Sequence, residues 1–305
     1  MRSTPLRIFL VYALLCFIWG STWLAIRASL ESLTPFISVG SRFLLASLFV
    51  FALMKIRGVS LQTDKESIRL YFLMGFLSFV IPFGLVYWAE QFVPSGLASV
   101  LFGVYPFFVA LFSFFRIPDE SIGKIKILGM TLGFIGIVVI FSDSFTTDLS
   151  TLFIGMVAVA LSGIIQAWIA VSIKKSGKHL NPLSMNLVPM FIAGISGLVF
   201  GLLLEDISKI KIDNTAIISV LYLAFFGSVV TFTSFYWLMK KINVVLLSLV
   251  AFITPIVALI LGWIFYNETL TTQHIIGSLL VLIGLLFANL EAVFNRKQRF
   301  ENQLD

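Results

Sequence analysis

Ten runs of predominantly apolar residues follow one another along the chain, at about 8–27, 35–54, 70–90, 94–115, 124–142, 152–172, 184–204, 215–239, 244–265 and 274–294. Each is close to the roughly 20 residues that a helix needs to cross about 30 Å of hydrocarbon. The polar stretches between them are short, so the pattern predicts an all-α polytopic membrane protein with no separate soluble domain in its loops. The first run follows Arg2 and Arg7 and so mimics a secretory signal. No A-x-A site comes after it, however, and the apolar stretch continues through Trp23 to Ile26, which reads as a first transmembrane helix.

Composition agrees with the pattern. Of 305 residues 59% are hydrophobic and 12% charged, against roughly a quarter charged in a soluble domain. The single cysteine, Cys16, lies in an apolar run, which excludes a disulfide framework and a thiolate metal site. A net charge of +6 would point to nucleic acid in a soluble protein, but here the basic residues sit between apolar spans, where they set orientation. With the N-terminus cytoplasmic, 17 of the 21 Lys and Arg fall on the inner side, Arg27, Lys209 and Lys211 fall outside, and Arg42 lies within a span. The expectation is a multi-pass protein of the cytoplasmic (inner) membrane with both termini cytoplasmic and a basic tail at 296–305.

The two halves echo one another. Tyr87-Trp88, with Pro106 eighteen residues after Trp88, recurs as Tyr236-Trp237 and Pro255, and Ser99 matches Ser248. Glu120, Gly129 and Gly136 repeat as Glu268, Gly277 and Gly284, with the same gaps of nine and seven. Thr34-Pro35 pairs with Asn181-Pro182, each reading as a helix cap followed by proline at the first helical position. The fixed order of these matches predicts a duplication, with one repeat over 1–145 and the other over 146–295. Five is an odd number of spans, so the second copy runs through the membrane inverted, the design in which secondary transporters hold substrate between the repeats.

The stretches WGSTWLAIRASLESLTPFISVGSRFLLASLFV (19–50) and FITPIVALILGWIFYNETLTTQHIIGSLLVLIGLLF (252–287) resemble the EamA family of the drug/metabolite transporter superfamily. The likeness covers nearly the whole chain and includes WGS, the Arg42-Phe43 pair, and in each half a proline of the fourth helix followed by Glu and spaced glycines. It implies a ten-helix exporter or permease with a central cavity built mainly from helices 1, 3, 4, 6, 8 and 9. The first half departs from the pattern at Arg116-Ile117-Pro118-Asp119-Glu120, where a proline enters the end of helix 4.

Candidate substrate residues follow from position. Trp19 and Trp23 share a face of helix 1. Trp19 lies near mid-span, where a cavity wall for an aromatic or aliphatic substrate competes with core packing; Trp88, Trp168, Trp237 and Trp263 lie near helix ends, as an interfacial belt requires. Ser95, Ser99, Gly103 and Pro106 form a stripe on helix 4, and Ser248, Pro255 and Gly262 its counterpart on helix 9. Small residues allow close helix packing. The paired prolines also each remove a backbone hydrogen bond, so Pro106 and Pro255 are candidate hinges, with Tyr105 and Thr254 beside them as polar handles. Tyr87, Gln91, Gln166 and Tyr236 complete the candidate cavity, although for Gln166 an interhelical hydrogen bond is the competing role. Glu120 and Glu268 fall on opposite membrane faces; they read as solvated helix ends or as latches of the helix 4–5 and 9–10 turns.

Arg42 is seven residues into helix 2 from Pro35, about 10 Å below the outer boundary at 1.5 Å per residue. Snorkelling to that boundary is one account. The other is an anchor to helix-end carbonyls, or an attractor for a substrate carboxylate in the outer vestibule. The repeat sets Pro189 opposite Arg42, so the charge has no inner counterpart.

The expected function is a secondary transporter that moves small metabolites, amino acids or related compounds, by alternating access. Export of such compounds rests on the resemblance alone. Import or exchange of small organic solutes stays open. An integral-membrane lipid-modifying enzyme is disfavoured, because His179 and His274 fall on opposite sides and no acidic cluster has metal-ligand spacing. No phosphate-binding loop of the G-x-x-x-x-G-K-[ST] type occurs, and no cofactor or metal is expected. The expected partners are a small-molecule substrate and the lipid bilayer, with no nucleic acid and no obligate protein. Glu90 and Asp143 lie at outer span ends and Glu291 near the inner end, so proton coupling is not written in the sequence.

Overall fold

The computed structural model describes residues 5–117, 124–142, 150–248 and 250–301. Its helices are α1 (Pro5–Ser29), α2 (Pro35–Ile56), α3 (Lys65–Ala89), α4 (Ser95–Arg116), α5 (Lys124–Ser142), α6 (Ser150–Ser176), α7 (Ser184–Leu204), α8 (Asn214–Met239), α9 (Val244–Tyr266) and α10 (Thr272–Glu301). No strand occurs among the described residues. Eight of the helices are long and apolar enough to cross a bilayer, and α10 opens with a shorter apolar stretch, Thr272–Gly284. The chain is thus an all-α membrane protein whose described residues form ten helices, as two inverted five-helix repeats require.

The bundle presents apolar side chains outward, as lipid contact demands: Phe17 is 62% exposed, Leu48 56% and Phe115 73%. Polar groups turn inward, and among the described residues Arg42 and Glu90 are the buried Arg, Lys, Asp and Glu side chains. Short connections force neighbours in sequence to run antiparallel. One end of the bundle therefore carries the start of α1 and the finish of α10, here the terminal end, and the other carries the α1–α2, α3–α4, α7–α8 and α9–α10 connections.

The repeats interlock in a symmetrical way. Helix α1 packs on α8 and α9, while its counterpart α6 packs on α3 and α4. Helix α5 lies along α10. There, a methyl group on Gly136 would come 2.6 Å from the Gly277 carbonyl oxygen, and one on Gly284 would come 2.5 Å from that of Gly129. The equivalent pairs have exchanged partners, as a two-fold axis between two copies requires. Glycine is needed at these places because backbone meets backbone.

Helix starts show where the cap expectations fail. Pro35 does open α2, but Thr34 makes no cap bond, and its hydroxyl is buried without a partner. Instead the Glu205 carboxylate, beyond the end of α7, accepts from Phe36 N at 2.8 Å and Ile37 N at 3.2 Å. A charged acceptor at a helix start also matches the helix dipole. Asn181 accepts from Leu183 N at 2.9 Å, closing a turn, and α7 begins at Ser184, two residues after Pro182.

Helices α3 and α8 each contain one π-helical segment, Gly75–Val80 and Phe225–Val230. Both sit at corresponding places in the two repeats and each holds a serine, Ser78 and Ser228. A π segment shifts the amide ladder by one residue and so frees a carbonyl in mid-helix.

Candidate functional site

The freed group in α8 is used at once. Thr231 N bonds Phe226 O in place of Gly227 O, and Gly227 O accepts from Arg42 Nη2 at 2.8 Å and from Thr231 Oγ1 at 2.8 Å. Arg42 Nε donates to Ser228 Oγ at 2.9 Å and Nη1 to Tyr87 OH at 3.2 Å. The Phe43 and Phe83 rings lie on the guanidinium, each centroid 4.9 Å from Cζ. Arg42 is 1% exposed, so it does not snorkel to the boundary. Its carbonyl partner lies inside a helix and not at a helix end. A methyl on Gly227 would come 2.8 Å from Thr22 and 3.4 Å from Arg42 Nη2, so the close approach depends on glycine.

Beside this cluster a cavity of about 90 Å³ lies between the repeats. Helix α1 supplies Trp19, Thr22, Trp23 and Ile26; α2 supplies Arg42; α3 supplies Ser78, Phe83 and Val86. Phe102 and Tyr105 come from α4, Gln166, Ile169, Ala170 and Ile173 from α6, Phe232, Phe235 and Tyr236 from α8, and Val250, Ala251 and Thr254 from α9. These are the helices the family resemblance names, with α2 added through Arg42. The wall is aromatic, with Trp19 5.4 Å from Phe232 and 5.3 Å from Phe235, and Trp23 5.7 Å from Phe102. Arg42 is its one charged side chain. A second cavity, between α2, α3 and α7, is lined among the described residues by apolar and aromatic side chains including Phe36, Phe79, Trp88 and Phe200, with no charged group.

The structure therefore brings Trp19, Trp23, Arg42, Tyr105, Gln166, Tyr236 and Thr254 to one chamber. Tyr87 stands behind it as the partner of Arg42. The remaining candidates lie elsewhere. Gln91 is exposed and donates to Trp88 O at 3.0 Å. Ser99 and Ser248 are buried and bond carbonyls of their own helices, Gly96 O at 2.6 Å and Val245 O at 2.7 Å. At helical spacing a serine that satisfies itself this way looks the same in sequence as one facing a solute.

Pro106 is buried just beyond a break in α4, where Leu101 ends one helical piece and Val104 begins the next. Phe102 O, which the proline leaves unserved, accepts from Tyr105 N at 3.0 Å. Pro255 lies inside α9, and Ala251, whose carbonyl it leaves unserved, borders the cavity.

Glu120 lies outside the described residues. Glu268 stands away from the cavity, at the end opposite the termini, and reaches across the repeat boundary to the start of α4. It accepts from Ser95 N at 2.9 Å, Ser95 Oγ at 2.8 Å and Gly96 N at 3.0 Å. What it holds is thus the helix start of the other repeat, beyond its own α9–α10 turn. Gly262 makes room for it, since a methyl there would come 2.4 Å from Glu268 Oε2.

The same end is tied by Tyr266 OH to Glu31 Oε1 at 2.5 Å and by Ser32 Oγ to Asp213 Oδ2 at 2.7 Å. At the terminal end Lys174 donates to Met239 O and, at 2.8 Å, to Ile242 O, while Arg116 donates to Ser172 Oγ and lies 4.8 Å over the Trp168 ring.

Phe83, Phe102, Phe232 and Phe235 line the cavity unforeseen, because among 32 phenylalanines in apolar helices nothing in sequence marks the inward few. Ser78 was equally unmarked, since the register of Tyr87 with Tyr236 sets it opposite Gly227 and not opposite a second serine.

Known proteins match this architecture along its length. The "Uncharacterized transporter YoaV" of Bacillus subtilis (strain 168) is 28% identical over 281 residues, covering 92% of this chain and 95% of that protein. "Protein PagO" of Salmonella typhimurium is 26% identical over 285 residues, 93% of each. The "Uncharacterized inner membrane transporter YedA" of Escherichia coli (strain K12) is 29% identical over 262 residues, 83% of this chain and 81% of that one. A solved structure titled "Crystal structure of protein" shares the fold, with TM-score 0.71 at 18% identity over 93% of this chain and 97% of its own. The model of the EamA-like transporter family matches twice, over residues 6–142 and 153–290, once for each set of five helices. With both halves matched and the inter-repeat chamber in place, the chain belongs to the EamA-like transporter family.

Proposed function

We propose that the protein is a secondary transporter of the cytoplasmic membrane that exports small amphipathic metabolites, amino acids or related compounds, by alternating access, with both termini in the cytoplasm. The observation that carries this reading is the chamber between the repeats: an aromatic wall with one arginine and a few hydroxyl and amide groups. Aromatic surface takes up an apolar side chain, while few polar groups at fixed places set orientation. Three of the guanidinium's five N–H groups are engaged by Ser228, Tyr87 and Gly227. The remaining two can meet a carboxylate. Nothing in this cycle calls for bond-making chemistry, so the reading is of a carrier and not an enzyme.

The wall spans depth as alternating access needs. Ile173, Tyr236 and Val250 border the chamber nearest the terminal end, and Ile26 and Val86 border it nearest the other. The inner-membrane name of the YedA relative supports the location. The test is a toxicity screen: cells overproducing the protein are challenged with amino-acid analogues and other small amphiphiles. Resistance that Trp19→Ala abolishes supports export through this chamber. Sensitisation would mean import, and no flux of any compound of such a panel into proteoliposomes would count against the reading.

A further inference from the structure

One buried charge has no place in the chamber. Glu90 follows α3 in the connection 90–94 and is 0% exposed. Its backbone oxygen accepts from Arg27 Nη1 at 2.9 Å. Among the described residues neither side-chain oxygen has a hydrogen-bond partner, and the carboxylate forms no ion pair. Nearby Glu268 is the opposite case, with three donors on its two oxygens. A buried carboxylate without donors resolves its desolvation by taking up a proton, and a second carboxylate close by drives it the same way.

Among the described residues the charged and titratable groups around Glu90 are few. Arg27 comes from α1 and Arg42 from α2; Tyr87 lies about one turn below on α3; Glu268 comes from the α9–α10 connection. Helix α6 touches this end of α3 where Gly155 meets Val93 and Ala89, and it brings no titratable group there among the described residues. Burial first and the Glu268 carboxylate second push the Glu90 carboxyl well above the usual range, with Arg27 and Arg42 pulling the other way. Neither arginine donates to the Glu90 carboxylate: Arg27 bonds a carbonyl, and Arg42 bonds Ser228, Tyr87 and Gly227.

We propose that Glu90 is a proton-binding site of the transport cycle: it holds a proton while Glu268 is docked on the start of α4, and releases it to water when that end of the bundle opens. The carboxyl O–H bond breaks and water accepts the proton, so no other reactant is needed. Val86, one turn before Glu90, and Ile26, next to Arg27, both border the chamber, so opening this end wets Glu90 and the chamber together. The proton is then a co-substrate, and solute exchange on that side is linked to proton exchange on the same side.

The linkage has a definite sign. The docked state binds one proton more than the open state, so docking is favoured at low pH and is lost as pH rises through the docked-state titration of Glu90. Protonation of Glu268 itself would act in reverse, weakening docking at acid pH.

The inference rests on the transporter reading, but its test needs no solute. The Ser95 and Gly96 amides, at the start of α4, are bonded by Glu268, so their hydrogen exchange reports docking directly. Exchange is followed by mass spectrometry on the purified full chain in lipid nanodiscs across the neutral range, corrected for the intrinsic base-catalysed rate. In the wild type, protection of these amides should fall by up to about tenfold per pH unit between the open-state and docked-state midpoints of Glu90, the limit for one linked proton, and level off above the docked-state one. In Glu90→Gln and Glu90→Met it should stay level throughout that neutral range. Flat protection in the wild type, or the wild-type profile retained in both variants, overturns the proposal. So does protection that survives Glu268→Ala, because the amides would not then report docking. Absence of transport for a given compound leaves the result intact, and a negative exchange result leaves the transporter reading standing.

Discussion

Arg42 Nη2 stands 2.8 Å from the Gly227 carbonyl oxygen, a group inside α8 that has lost its own amide to a π turn. The charge buried in the first repeat thereby completes a defect in the second. A lysine could reach one of the three acceptors but not hold Ser228 Oγ, Tyr87 OH and Gly227 O together. Arg42→Lys should lower unfolding stability by about 1–3 kcal/mol, the range for leaving buried polar groups unserved. Thermal unfolding in detergent, followed by tryptophan fluorescence, checks this; a wild-type transition would show the fork to be dispensable.

At the other latch, Glu268→Ala strips Ser95 N and Gly96 N of their acceptor and should cost about 1–2 kcal/mol, the scale of a lost N-cap. Gly262→Ala places a methyl 2.4 Å from the same carboxylate and must expel it. The double variant should then be little worse than either single one, a strong departure from additivity. Additive losses in a denaturant series would mean that Gly262 serves some other contact.

Much of this architecture was legible in order and spacing, since ten apolar runs and a repeated Glu-Gly-Gly pattern mark the spans and the duplication. What sequence hid was which side chain meets which. Arg42 and Glu90 look alike as charges close to a span boundary, yet one has three partners and the other none at its carboxylate. The π segments were invisible as well, because one shifted amide changes no composition and no period. Thr34 and Asn181 looked like matched caps, but the acceptor that serves α2 comes from Glu205, about 170 residues away in the chain.

Substitution in the α5–α10 seam should be costly at matched sites. Gly136→Ala and Gly284→Ala each drive a methyl against main-chain atoms, at 2.6 Å and 2.4 Å, that no rotamer can relieve. Each should destabilise by about 1–3 kcal/mol, as overpacking does, and by similar amounts, since the contacts are related by the two-fold axis. A large inequality in their unfolding temperatures would show that the axis does not govern the seam.

Acid should loosen the α1–α2 connection from α8. The Ala216 amide first, and the Ser32 hydroxyl next, hold the Asp213 carboxyl below its usual range. Its stabilising contribution is present above the ordinary aspartate value, about 4, and is lost as pH falls through the lower folded value. Hydrogen exchange at Ala216 N should rise in that acid window, and in Asp213→Ala, which has no acceptor to offer, it should already be raised at neutral pH. Unchanged exchange in the variant would mean that another acceptor serves the amide.

The exchanged glycine pairs of α5 and α10 also decide where movement can occur. Main chain lies against main chain there, and the one side-chain atom as close, Leu280 Cβ, is fixed to its own backbone and cannot turn aside to let one helix slide past the other. The seam is therefore a fulcrum: it passes motion on without absorbing any. In any stroke that opens a mouth of the chamber, α5 and α10 should accordingly move as one body, and the turning falls to the helices that carry the chamber wall.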